Sequence, residues 1–292
     1  MTFAAAGVDF WRWQPHPEVW VLVGGVIGLA AYALRVVGPK VVPAGQKAVT
    51  GQQIAWLAGG VAVLWVASDW PMHDIAEEYL FSAHMIQHML LTFVVPPLFL
   101  LATPEWLARL VLGRGRVKKA FYFLAKPIPA ALLFNGFQIF THAPGTVNAA
   151  VSHALVHYLV HTVLVFTAFL LWMPVCGPLP ELRISYPAQM LYLFVTSIIP
   201  TVPAGWLTFA SGAVYSAYDI PARLWGISVT SDQQIAGLFM KLGAGSYLWL
   251  LITIIFFRWA SRQDALRDSR TTLTFDQVQQ EFHDHPAPRA GV

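Results

Sequence analysis

The chain has 292 residues, of which 57% are hydrophobic and only 11% charged, where ordinary soluble domains carry about a quarter charged residues. That balance excludes a soluble globular protein and points to a polytopic membrane protein, whose formal charge of +3 reflects topology. No basic cluster is interleaved with aromatics, so the lipid bilayer is the expected partner and nucleic acid is not.

The single cysteine, Cys176, rules out an intrachain disulfide and a multi-thiolate metal site. No basic segment with a small-residue cleavage site precedes the first apolar stretch, so direct insertion is expected. A span needs roughly 20 predominantly apolar residues. Seven stretches qualify: Glu18 to Val37, Gln53 to Trp70, Phe81 to Ala102, Phe121 to His142, Ser152 to Pro174, Pro187 to Ala210 and Gln233 to Trp259. The fourth depends on whether Lys126-Pro127 lies inside its first turn or before it. The predicted fold class is therefore all-α, a polytopic transmembrane helix bundle of about seven spans, over residues 1–262. Residues 263–292 form a polar cytoplasmic tail, with a short helix expected from Asp276 to His285.

Loop charges set the orientation. Arg35, Lys40 and Lys47 occupy the first loop, and Arg109, Arg114, Arg116, Lys118 and Lys119 the third. Arg183 lies in the fifth, and Arg258, Arg262, Arg267 and Arg270 follow the last span. Close to the spans, the other side has Arg12 and Arg223 alone. The positive-inside rule then puts the N-terminus outside and the C-terminus in the cytoplasm. Tryptophans 11, 13, 20, 70, 106, 206, 225 and 259 lie near predicted span ends, as interfacial anchors do.

Within this topology His84 and His88 enter the third span from outside, and His153, His157 and His161 descend into the fifth. Each run repeats at i, i+4, which lines imidazoles along one helix face. His16, His73 and His142 also belong to the outer side, and Asp232 opens the seventh span there. Ionisable groups inside a membrane are costly and usually face a partner, a cavity or a metal. Isolated histidines often do no more than hydrogen-bond between helices. Two ladders at helical spacing, with Asp232 on the same side, point instead to a metal or proton site. His161 lies about 12 Å below His153 at the helical rise, so pairs of these imidazoles are expected to share an ion rather than all three, in a four-histidine site with His84 and His88 or an adjacent ladder of sites. Met72, Met85, Met89 and Met240 share this half; thioether with imidazole favours Cu(I), while Met85 and Met89 at i, i+4 also suit plain packing. Lys241, two turns below Asp232, is expected to be buried with a partner. Pro96-Pro97 and Pro200-Thr201-Val202-Pro203 interrupt the third and sixth spans, giving either a cleft or simple curvature.

The stretch His84-Met85-Ile86-Gln87-His88-Met89-Leu90-Leu91, followed by Pro96-Pro97-Leu98 and Thr103-Pro104, resembles the CtaG family of cytochrome c oxidase assembly proteins, of the caa3 type. The histidine-rich fifth span and Asp232-Gln233-Gln234-Ile235-Ala236-Gly237 resemble it too, over roughly residues 50 to 260. The resemblance implies a multi-pass protein of the bacterial inner membrane that supports copper insertion into a haem-copper oxidase. Its implied partners are the oxidase catalytic subunit and a periplasmic copper donor. Carried over by motif, His84, His88, His153, His157 and Asp232 are the implied site residues. Relatives often carry a tryptophan after the Asp-Gln pair, where this chain reads Gly237-Leu238-Phe239-Met240-Lys241; a role for that tryptophan does not carry over.

Three function classes follow. The favoured one is non-enzymatic: a copper-binding metallochaperone whose ligands come from His84, His88, His153, His157, His161 and Asp232, with Met85 or Met89. The second is a membrane b-type cytochrome with bis-histidine haem ligation. The third is an intramembrane hydrolase with histidine-bound zinc, Asp232 assisting.

Overall fold

A computed structural model describes residues 11–271, with 279, 280 and 283. The helix expected from Asp276 to His285 lies largely outside the described residues. Among those described, every regular element is helical. Five helices are long and apolar enough to cross a membrane: α1 (Pro17–Val41), α4 (Phe81–Ala102), α9 (Ala154–Cys176), α10 (Tyr186–Thr208) and α11 (Val229–Arg267). The number rises to seven if each of two bent pairs counts as one span. These are α2 (Gly51–Ser68) with α3 (Met72–Glu78), bent by 40°, and α6 (Arg116–Leu124) with α7 (Pro127–Thr141), bent by 75°. Two short α-helices, α5 (Glu105–Leu112) and α8 (Pro144–Ser152), and three single 3-10 turns at Pro180–Leu182, Ser216–Tyr218 and Leu224–Gly226 are the other regular elements among the described residues. The molecule is thus a multi-pass all-α membrane bundle, with a belt of exposed apolar side chains such as Leu29, Val66, Leu132, Phe166 and Leu250 turned outward.

Helix boundaries follow local chemistry. A reciprocal capping box starts α2: Gln53 N–H donates to Thr50 Oγ1 at 3.1 Å, and Thr50 N–H to Gln53 Oε1 at 2.9 Å. Ser228 caps α11, its Oγ accepting from Ser231 N–H at 3.1 Å. The third span has the bounds that its apolar run predicts. The fourth does not: Lys126, at φ −66° and ψ 150°, is extended before Pro127 and ends the preceding helix. Residues 121–124 therefore belong to the steeply angled α6, and α7 alone, about 22 Å long, remains along the bundle. The seventh span instead runs well past Trp259, to Arg267.

The centre of the bundle is α4, of whose span 61% is buried against 17% for α1. It packs against α2, α3, α9 and α11, while α9 also packs on α7, and α10 on α11. Gly237 permits the last contact: a Cβ there would stand 2.6 Å from the Ala204 carbonyl oxygen of α10. Pro96 and Pro97 do not break α4. A π-helical turn over Leu90–Val94 precedes them. The carbonyls that they deprive of a partner are taken up by other spans: Trp172 Nε1–H donates to Thr92 O at 2.9 Å and Tyr247 O–H to Phe93 O at 2.8 Å. Pro97 also lines a cavity of about 520 Å³ with Trp172, Cys176, Arg183, Tyr247 and Arg258. At the same end of the bundle Arg109 and Tyr122 bind Glu181 at 2.9 and 2.8 Å. A backbone N–H first, then these two side chains, hold the Glu181 carboxyl down at about 2.

Candidate metal centre

The third and fifth spans face each other, and their histidines meet. The His84 and His88 rings on α4 lie 4.3 Å apart, and those of His157 and His161 on α9 lie 4.2 Å apart, as i, i+4 spacing requires. Across the interface His88 Nε2 and His161 Nε2 are 3.3 Å apart. The His84 and His161 rings are separated by 5.5 Å. One ring nitrogen from each of His84, His88 and His161 falls within 4.8 Å of the other two. A second group of the same tightness joins Glu77, His157 and His161. His161 belongs to both.

Glu77 was not among the residues expected at the site. The bend between α2 and α3 swings it over α4, where His84 Nδ1 donates to Oε1 at 2.9 Å. Its other oxygen stands 3.2 Å from His157 Nδ1. A carboxylate that accepts from Nδ1–H fixes the tautomer and leaves the Nε2 lone pair of His84 free to bind a metal. The sequence does hold a signal for Glu77: it lies one helical turn after His73, in the outer segment just before the third span.

The remaining outer histidines lead to this centre. His16 Nε2 lies 2.7 Å from Asp74 Oδ1, and its ring packs edge-on against His73 at 4.9 Å. His73 in turn lies 6.2 Å from His157. Gln87, between His84 and His88 in sequence, donates to the Ala67 carbonyl at 2.7 Å and stands 3.1 Å from His73 Nδ1. On the far side of the centre, the His142 ring lies 6.4 Å from that of His88.

Some expected site residues stand elsewhere. His153 precedes the first turn of α9, is exposed, and is in neither ligand group found among the described residues. The Asp232 carboxylate accepts from Phe81 N–H at 2.7 Å and from Ser82 N–H at 3.0 Å. It thus caps the N-terminus of α4, where the helix dipole favours an anion, and positions the histidine-bearing helix. Its neighbours staple the 210–215 loop: Gln233 Oε1 accepts from Val214 N–H at 2.7 Å, and Gln234 Nε2 donates to Ala210 O at 2.9 Å. Met85 is buried beside Phe81, Tyr215, Tyr218 and Met240, and with Met89 lines a cavity on the other side of His88. Lys241, expected to be buried, is exposed on the side of the bundle and donates to Thr201 Oγ1 at 2.6 Å. A long side chain at such a place can extend its charge toward the interface.

The nitrogens of the centre border a cavity of about 20 Å³, lined by His84, His88, His157 and His161 with Thr141, Val147 and neighbouring side chains. That space admits one ion or one water.

A multi-pass helical membrane protein with a partly buried imidazole–carboxylate cluster at one end is the class defined by fold and site. The chain matches the family model of the cytochrome c oxidase caa3 assembly factor, Caa3_CtaG, over residues 30–262, and belongs to that family. It is also 24% identical over 286 residues to an uncharacterized protein of Mycobacterium leprae (strain TN). The match takes in 89% of this chain and 41% of the mycobacterial protein, so the chain spans about two-fifths of the length of that curated relative. No solved structure matches.

Proposed function

We propose that the protein binds copper at the outer end of the bundle and passes it to a haem-copper oxidase during assembly, in the bacterial inner membrane and without catalysing a reaction. The observation that carries this reading is the convergence of three imidazole nitrogens, from His84, His88 and His161, within 4.8 Å on two packed helices. Imidazole binds copper, zinc and iron alike, so charge decides between them. Glu77 is the carboxylate beside the cluster, and one negative charge neutralises a monovalent ion while leaving a divalent ion partly uncompensated. In a low-dielectric interior that difference favours Cu(I). Copper enters past His16 and His73 from a periplasmic donor, rests on His84, His88 and His161, and leaves laterally by ligand exchange to the oxidase catalytic subunit.

Zinc is the second reading, supported by the mixed carboxylate–imidazole set of Glu77, His157 and His161. Metal analysis of the purified protein, with His84→Ala, His157→Ala and His161→Ala variants, separates the two. Copper in the wild type, with the largest loss in His161→Ala because both ligand groups contain it, is the expected result. Unchanged copper in all variants, together with unchanged copper in the oxidase that assembles beside them, would sink the proposal. A Soret band in protein from haem-replete cells would replace it by the cytochrome reading.

A further inference from the structure

Deeper in the bundle than the histidine cluster, a second cavity of about 20 Å³ is enclosed by α4, α9, α11 and the end of α7. It has room for one water or one ion. Met85, Met89 and Met240 line it, three of the seven methionines in the chain, together with His88, Gln138 and His142.

Two polar atoms there are buried with no hydrogen-bond partner among the described residues: His142 Nε2 and Gln138 Oε1. His142 is only 4% exposed. Its Nδ1 lies 2.7 Å from the Gln138 carbonyl oxygen. A carbonyl only accepts, so Nδ1 carries the proton and Nε2 holds a lone pair. Orientation of this kind, one ring nitrogen donating to a backbone carbonyl while the other is left bare, is how metal-binding histidines are held.

Methionine commonly fills irregular core gaps, and a trapped water is the simplest alternative occupant. A water could give its two protons to Nε2 and Oε1, but buried waters typically make about three bonds. The Thr92 hydroxyl, which also lines the cavity, already donates to the His88 carbonyl at 2.6 Å. The cavity is therefore lined by groups that can offer lone pairs: a bare imidazole nitrogen, an amide oxygen and three methionine side chains. Such donors around one small volume, with two of them unpaired, suit a cation. Thioether sulfur selects a soft one, and the lack of a carboxylate among the lining residues favours a single positive charge.

We propose that Met85, Met89, Met240 and His142 form a second, soft-metal site for Cu(I). His88 lines both cavities, so it stands between this site and the cluster of His84 and His161. The ligand sets grade inward, from carboxylate with imidazole, through imidazole alone, to imidazole with thioether. The second site rests on its own residues and does not require the first to bind copper.

The test uses full-length protein carrying methyl-13C methionine in detergent micelles, titrated with Ag(I) as a redox-inert stand-in for Cu(I) and then with Cu(I) under anaerobic conditions. Saturable shifts of the Met85, Met89 and Met240 methyl resonances, with Met173 and Met190 unmoved, are expected. The double variant Met85→Leu, Met240→Leu should lower affinity at this site at least about tenfold and weaken the sulfur scattering in the copper X-ray absorption spectrum, since Met89 alone remains. A His157→Ala, His161→Ala variant should keep the methionine shifts, which separates this site from the outer one. Unmoved methionine resonances at saturating Ag(I), or equal shifts at Met173 and Met190, would overturn the proposal and leave a buried water only.

Discussion

Glu77 ties the two histidine-bearing helices together, because its two oxygens face imidazoles on α4 and α9. Glu77→Gln keeps the shape and removes the charge. An amide presents N–H where a carboxylate oxygen stood, so either His84 or His157 loses its acceptor and is free to turn or change tautomer. Loss of such an outer partner typically costs 10–100-fold in metal affinity, and that range is expected here, measured by competition with a chelator on purified protein. Affinity unchanged within about twofold would show that Glu77 neither orients nor neutralises. At this scale the sequence revealed what repeats. His84, His88, His157 and His161 were legible from helical spacing. His153 has the same spacing, yet α9 begins only at Ala154, so the ladder ends one turn early. Glu77 reaches the site through a bend that spacing does not encode, and Asp232 serves backbone N–H groups of another helix.

At the scale of elements, prolines were the readable irregularities and their repair was not. Pro96-Pro97 announces two missing N–H groups in the third span, but the groups that answer, Trp172 on α9 and Tyr247 on α11, lie far away in sequence. These two hydrogen bonds bind three spans at one level of the bundle. Trp172→Phe leaves the Thr92 carbonyl buried without its donor, and an unsatisfied buried group costs about 1–3 kcal/mol. Tyr247→Phe does the same at Phe93 while keeping the ring. Each variant is expected to lower resistance to thermal or detergent unfolding by that amount, with metal stoichiometry at the histidine cluster unchanged. Wild-type stability in both would mean that the π-helical turn satisfies these carbonyls by itself. The start of the fourth span, left open by the sequence, is settled by a related feature. Lys126-Pro127 marks the place in the sequence, and the turn itself is made by the one extended residue before Pro127.

Over the whole molecule, the two ends of the bundle differ in chemistry. One gathers His16, His73, Glu77 and the α4–α9 histidines; the other carries Arg109, Glu181, Arg183 and the basic turns around Arg114 and Lys118. Loop charges assign the basic end to the cytoplasm, and delivery of copper from outside depends on that assignment. Labelling with a membrane-impermeant maleimide tests it, in a Cys176→Ser background that removes the native thiol. Ser152 is exposed beside the histidine end and Arg114 is exposed at the basic end. Ser152→Cys should therefore label in intact spheroplasts, and Arg114→Cys only after the membrane is opened. The reverse pattern would turn the cluster toward the cytoplasm. The His16–His73 approach would then face cytosolic donors, and a periplasmic source of copper would be untenable even with every ligand in place.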